Sequence, residues 1–256
     1  MTAHRFTPEM LTSSPLLINS IEIVMKIINE AKNDIDEESN MKIYQNCLLH
    51  NLGVCLLTNP EITINYLQNN NLVSLITDNL AGKFSELITY RTLRTFFMGM
   101  CNLIMHRQIA SAPELVAILN NSEILVYFNR ILIKLYLLKQ LNSVETENEM
   151  DQYEDDSEVP GLDTEIDRMI SKFLPDPALE KLDEEMCKTD MDYLLNVEVL
   201  MAFDFDICNE FIEEINEFVI FKNLLEKENS SRSPLFQGYI SRTSESMQKN
   251  VQIVIG

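Results

Sequence analysis

One stretch of this chain, Glu145 to Glu217, holds 25 acidic residues against 4 basic ones, and what lies on either side is close to neutral. Residues 1–144 carry 12 acids and 11 bases and the part from Phe218 onward carries 3 and 5, so a net charge of -20 is concentrated in one place. Like charges packed in sequence repel one another and bury little apolar surface. The core must therefore be built from the flanking segments. Within the stretch, Glu145 to Glu158 has eight acids and no base and is expected to be solvated and mobile.

The flanks read as helix. Only 6 of 256 residues are glycine and 8 are proline. Strand-rich folds and phosphate-cradling loops lean on glycine for positive φ and close backbone approach, and no GxGxxG or GxxxxGK[ST] occurs. The start, MTAHRFTPEMLTSSPLL, lacks the basic-then-apolar order of a secretory signal, which reads as cytosolic. The most apolar run, Ile124 to Leu138, is interrupted by Asn129, Arg130 and Lys134, which argues against a membrane span. Cys47, Cys55, Cys101, Cys187 and Cys208 form no CxxC pair and read as reduced thiols.

In chain order, Ser14-Pro15 opens a first helix with Leu17, Ile21, Val24, Ile28 and Ala31 on one stripe. A second runs from about Met41 to Leu57, with Tyr44, Leu48, Leu52, Cys55 and Leu56 on its buried side. Asn59-Pro60-Glu61 restarts the pattern, and the run Asn69-Asn70-Asn71 should split the segment from Ile62 to Leu80 into two shorter helices. Glu86 to Arg107 is the clearest helix, Ser111-Ala112-Pro113-Glu114 opens a short one to Leu119, and Ser122-Glu123 opens another ending near Leu141. Beyond the acids, Leu162 to Phe173 has helical spacing and either folds or docks on a partner. Pro175 and Pro177 end it, and Ala178 to Met186 is a weak helix. A stripe from Ile207 to Leu225, with Glu213, Glu214 and Glu217 on other faces, precedes a polar turn at Glu228 to Ser233. Helical segments near Leu235 to Ser241 and Met247 to Ile255 close the chain.

The long inner helices centre near Cys47, Phe96 and Leu132, separations of roughly 35 to 50 residues against a period of about 40 to 47 for HEAT-type repeats. Antiparallel pairs of that kind stack into a superhelix; an irregular bundle is the alternative. The fold class read from the pattern is all-α, HEAT-like helical repeats (an α-solenoid) interrupted by an acidic, partly disordered insertion. Its parts are 1–144 as repeats, 145–205 as an acidic insertion with weak helices, and 206–256 as C-terminal helices packing on the repeats.

Catalytic constellations are thin. His4, His50 and His106 lack a second ligand at helical spacing, Cys101 and His106 are five apart and so face different sides, and Asp204-Phe205-Asp206 reads as a solvated pair. The reading is of a protein that is not an enzyme, with no catalytic, cofactor or metal site. The thirteen methionines are scattered as core filling rather than gathered in a groove. A charge of -20 repels phosphates and excludes nucleic acid as partner, and its complement is a basic protein. The candidate site is thus Glu145, Glu147, Glu149, Asp151, Glu154, Asp155, Asp156 and Glu158, with a solubilising linker as the plain alternative.

Three segments carry a resemblance. MKIYQNCLLHNLGVCLLTNPEITINYLQNN, ITYRTLRTFFMGMCNLI and, after the acids, NEFVIFKNLLEKENSSRSPLFQGYISRTSESMQKNVQIVI are similar in kind and order to the C-terminal end of importin-beta family nuclear transport receptors of the importin seven and eight branch. Glu217, Phe218, Phe221 and Lys222 look most alike, whereas residues 159–205 match nothing in that pattern. The resemblance implies nuclear import of basic cargo, histone-like or ribosomal, a location in cytoplasm and nucleus, and nucleoporins as further partners. It also implies that the Ran-binding surface lies in N-terminal repeats this chain lacks, so that the chain is a fragment or a truncated relative. The competing expectation is a non-transport acidic scaffold or chaperone for basic proteins. Neither reading involves a membrane.

Overall fold

The computed structural model describes residues 38–78, 90–151, 168–180 and 215–256 together with Asn19; of residues 38–45, 47 and 141–151 it describes the helical backbone alone. Among these residues there is no strand. The helices with both ends described are α1 (Glu38–Thr58), α2 (Pro60–Asn69), α3 (Ser74–Asp78), α4 (Tyr90–Met105), α5 (Pro113–Leu119), α6 (Glu123–Asp151), α7 (Glu217–Ser230), α8 (Pro234–Arg242) and α9 (Glu245–Ile255), with a 3₁₀ turn at Arg107–Ile109 and further helical residues at 168–170 and 177–180. The helix expected from Pro15 and the segment Met191 to Phe205 lie outside the described residues.

Local chemistry explains the boundaries. The Asn59 side chain accepts the Ile62 amide at 3.1 Å while Pro60 occupies N1, where no N–H is needed. The asparagine run ends α2, and Asn71 turns the chain with φ 56°, a conformation asparagine tolerates better than most. Asn216, Ser233 and Ser244 cap α7, α8 and α9 through their side chains. Ala112, ahead of α5, has no side chain to cap with. Gln68 of α2 reaches over instead and accepts the amides of Ser111 and Ala112 at 2.7 and 2.9 Å.

α1 and α4 run side by side in the same direction. Asn102 donates its amide to the carbonyls of Leu56 and Leu57, and Thr92 lies against Asn46 at the other end, so a separation of 46 residues holds along the whole crossing. Two of the scarce glycines make this contact. A Cβ on Gly99 would lie 2.5 Å from the Gly53 carbonyl oxygen, and one on Gly53 would lie 2.7 Å from the Phe96 backbone. Only backbones without side chains approach so closely.

α7 takes the next place in that row. Arg94 meets Glu217, Lys227 meets the Met105 carbonyl and Arg107 meets Glu228, at separations of 123, 122 and 121, so α7 is parallel to α4 as well. α6 runs the opposite way. Its Lys139 and Tyr136 sit at the start of α7, and its Phe128 lies further along against Phe221. Phe97, Phe128 and Phe221 close a triangle of rings 5.1, 5.7 and 6.5 Å apart, where α4, α6 and α7 meet in the core.

Four sequence expectations change. The third helix of the parallel row is α7, not the helix centred on Leu132, because α6 runs the opposite way. α6 continues through Asp151 instead of ending near Leu141. Once a buried segment has nucleated the helix, adding Glu and Met residues costs little, even against the unfavourable dipole. The stripe from Ile207 to Leu225 is broken, since Ile215 lies in a bend and Asn216 caps a new helix. Finally, Glu228 belongs to the last turn of α7, and the reversal is made by Ser231 to Ser233, with Arg232 at φ 50°.

Candidate functional site

The joint between α4 and α7 is ionic, and it sits at the end of the acidic stretch. Glu217 is 0% exposed, and Arg94, 11% exposed, donates to its Oε2 at 2.8 Å. The same guanidinium donates to the Ile215 carbonyl at 2.5 Å, which pins the chain as it enters α7. Lys139 stands 3.5 Å from the other oxygen of Glu217 and 5.2 Å above the Phe218 ring. Nearby, burial and the Glu217 charge push the Tyr90 hydroxyl up to about 12, so it stays protonated. Lys139 precedes the acidic stretch and Glu217 closes it, so this cluster draws the two ends together.

A second cluster lies about three turns along the same joint. Arg107 holds the buried Glu228 with both terminal nitrogens, at 2.5 and 3.0 Å, and Ser233 donates to the same carboxylate at 2.5 Å while capping α8. Bidentate pairing of this kind fixes geometry as well as charge. Both clusters neutralise their carboxylates with partners already in place. Their chemistry is to join helices, and neither presents an acid or base to a reacting group.

Facing away from this joint, α7, α8 and α9 enclose an open groove of about 410 Å³. Phe236, Tyr239, Ile240 and Val251 give it apolar walls, with Lys222 and Gln248 among the polar residues around them. Tyr239 donates to Asn129 of α6 at 3.1 Å, and burial raises its hydroxyl above the ordinary range, so this wall is rigid and uncharged.

Of the predicted acidic residues, Glu145, Glu147, Glu149 and Asp151 fall on the last turns of α6, and Glu154, Asp155, Asp156 and Glu158 lie outside the described residues. Glu145 and Glu149 are one helical turn apart, as are Glu147 and Asp151, spacings at which like charges repel by a few tenths of a kcal/mol. Of the residues singled out by the resemblance, Glu217 and Phe221 are buried, Phe218 is partly buried against Tyr136, and Lys222 lines the groove. The expectation that Glu217 faces away from the apolar stripe is corrected: it points inward because Arg94 meets it there.

Cys55 and Cys101 are buried core residues, and burial pushes the Cys101 thiol well above its usual range, away from the thiolate a nucleophile requires. His106 is exposed on another face, as the spacing predicts. Among the described residues no three His, Cys, Asp or Glu side chains gather where they could hold a metal ion. Also among them, no single helix is long and apolar enough to cross a membrane; α5 with Glu123–Gln140 passes only as a pair bent by 63°.

The ionic joint is what sequence reasoning missed. The available signal was a pair of arginines, Arg94 and Arg107, and a pair of glutamates, Glu217 and Glu228, at nearly the same spacing on two apolar helices. No protein-family profile, no curated protein and no solved structure matches this chain.

Proposed function

We propose that this chain is a HEAT-like helical-repeat scaffold that receives basic protein segments on its acidic stretch, and that it serves as the C-terminal part of a nuclear import receptor. The observation that carries the scaffold reading is the register of the inner row. α1 to α4 is a step of 46 residues and α4 to α7 a step of about 122, so the second exceeds the first by 76, nearly the length of the Glu145–Glu217 stretch. Without that stretch the row has one repeat period, close to the 40 to 47 residues usual for such repeats. The acidic stretch then stands as an insertion into a stack of one period, with Lys139, Arg94 and Glu217 meeting where α7 begins.

A stretch this rich in acids presents a negative field that mobile Lys-rich or Arg-rich segments enter without fixed geometry. Exposed pairs contribute about 0 to 1 kcal/mol each, so binding needs many of them and weakens as salt shortens the Debye length below about 8 Å. The import assignment rests on the three resembling segments and their order. It places cargo on the loop, the chain in cytoplasm and nucleus, and Ran on repeats outside this chain. The acidic scaffold or chaperone for basic proteins shares the binding step and differs in having no transport role.

The test is titration of the chain with a linker histone in low and in physiological salt. Replacing the eight acids between Glu145 and Glu158 by Gln or Ser should remove most of the affinity with circular dichroism unchanged. Equal binding by the substituted chain sinks the acidic-site reading. Import of a fused basic cargo in permeabilised cells separates receptor from scaffold.

A further inference from the structure

One described part of the acidic stretch, residues 168–180, is not left in water. It lies across α6 and α9 with Met169, Phe173 and Leu179 buried, and the Phe173 ring meets Tyr136 of α6 edge-on at 5.9 Å. Side chains of α9 and its cap make polar contacts to it. Asn250 of α9, 0% exposed, accepts the Leu174 amide at 2.7 Å and returns its own amide to the Leu174 carbonyl at 2.8 Å. Ser244 and Ser246 both donate to Asp176 Oδ2, at 2.5 and 2.7 Å, while Asp176 Oδ1 accepts the Ala178 amide.

This is how a receptor holds a peptide. One carboxamide reads both main-chain groups of one residue, an aromatic edge reads a ring, and two hydroxyls read an acid. Pro175 and Pro177 bracket the acid, which lies between a helical turn ending at Ile170 and another starting at Pro177, and the two fixed φ angles lower the entropy lost on docking. Helix-on-helix burial needs none of these contacts. Leaving the seat would expose Asn250, Ser244 and Ser246 to water rather than strand them, at the cost of uncovering the apolar surface against which Met169, Phe173 and Leu179 pack.

We propose that the surface formed by α9 and the adjoining side of α6 is a recognition site for a short peptide of the pattern aromatic-Leu-Pro-acid-Pro, with residues 168–180 as its resident ligand in cis. A partner protein bearing the same pattern is the ligand in trans. It competes against a tethered segment whose effective concentration is in the millimolar range, so a lone peptide binds visibly only when the resident one is disabled. Displacement frees the acidic stretch from its middle anchor, which links occupation of this seat to access to the acids.

The test uses a fluorescent peptide of residues 168–180 and the full chain, unaltered or with Phe173→Ala and Asp176→Lys together. The peptide should bind the doubly substituted chain about tenfold or more tighter than the unaltered one. Adding Asn250→Ala, or giving the peptide Lys in place of its Asp, should each lower that binding about tenfold. No preference for the altered chain, with its helicity intact, overturns the proposal, as does indifference to the acid. If the double variant fails to fold, Asp176→Ala is followed by amide exchange. Faster exchange at Leu174 with Phe97 still protected supports a detachable ligand, and equal acceleration at both makes the segment part of the core and overturns it.

Discussion

The two joints of the inner row have the same parallel geometry and opposite chemistry. α1 meets α4 through Gly53 and Gly99, backbone against backbone, with Asn102 hooked over two carbonyls. α4 meets α7 through Arg94–Glu217 and Arg107–Glu228, with Phe97 and Phe221 between them. The first joint is specified by the absence of atoms, so nothing else fits in it. The second is specified by paired charges, and burial makes each partner dependent on the other. Parallel helices can thus be joined by unlike contacts, and the carboxylates of the ionic joint are buried and already paired.

The sharpest way to break the comparison is steric. Gly99→Val puts side-chain atoms into the Gly53 carbonyl, so α1 and α4 must part. The expected loss is about 3 kcal/mol or more, seen as a lower urea midpoint. Gly99→Ala should still destabilise, although alanine favours helix by about 1 kcal/mol. If alanine stabilises instead, the close approach is not what joins these helices.

Next comes the ionic joint. Glu217→Ala takes the carboxylate away from the Arg94 guanidinium, and Arg94→Ala takes the closest charge from the fully buried Glu217 carboxylate; each should cost about 3 kcal/mol. The pair Arg94→Met with Glu217→Leu should recover most of that, since nothing charged is then left buried. A double variant as unstable as the sum of the singles would show that the two residues contribute independently and that their pairing is not what the joint depends on.

Acid should weaken the glycine joint through His50. Its Nδ1 is buried without a partner and Arg91 stands nearby, so burial first and that positive charge second lower its pKa to about 4 from 6.5. Folded His50 therefore resists a proton that the unfolded chain accepts. Stability is full above about 6.5 and falls by on the order of 3 kcal/mol as pH drops towards 4. His50→Gln should flatten that slope in thermal melts taken across the window; an unchanged slope would shift the cause to the carboxylates.

The smallest effect belongs to Arg242 and Glu123, which pair at 2.6 Å but are 51% and 69% exposed. Arg242→Ala should change stability by less than about 1 kcal/mol, and addition of salt should erase the difference. It is the control for the buried pairs.

Much of the secondary structure was legible in the residues themselves. Asn59-Pro60, Ser111 to Glu114 and the asparagine run placed their boundaries correctly because caps, prolines and turns act over three or four residues. Cys55, Leu48 and Leu52 were readable as core from spacing alone. What spacing cannot supply is direction and partner. Leu132 and Phe221 both lie on apolar helices of suitable length, and nothing local says which joins the inner row; that is settled by Arg94 and Arg107 finding Glu217 and Glu228 over a hundred residues away. The same limit hid the seat for residues 168–180, since neither Asp176 nor Asn250 is unusual until packing puts them together. Charge, caps and periodicity act along the chain, so the sequence by itself determined the helices and the place of the acids. Register and burial of charge are energies of contact between distant segments, and only the tertiary structure decided those.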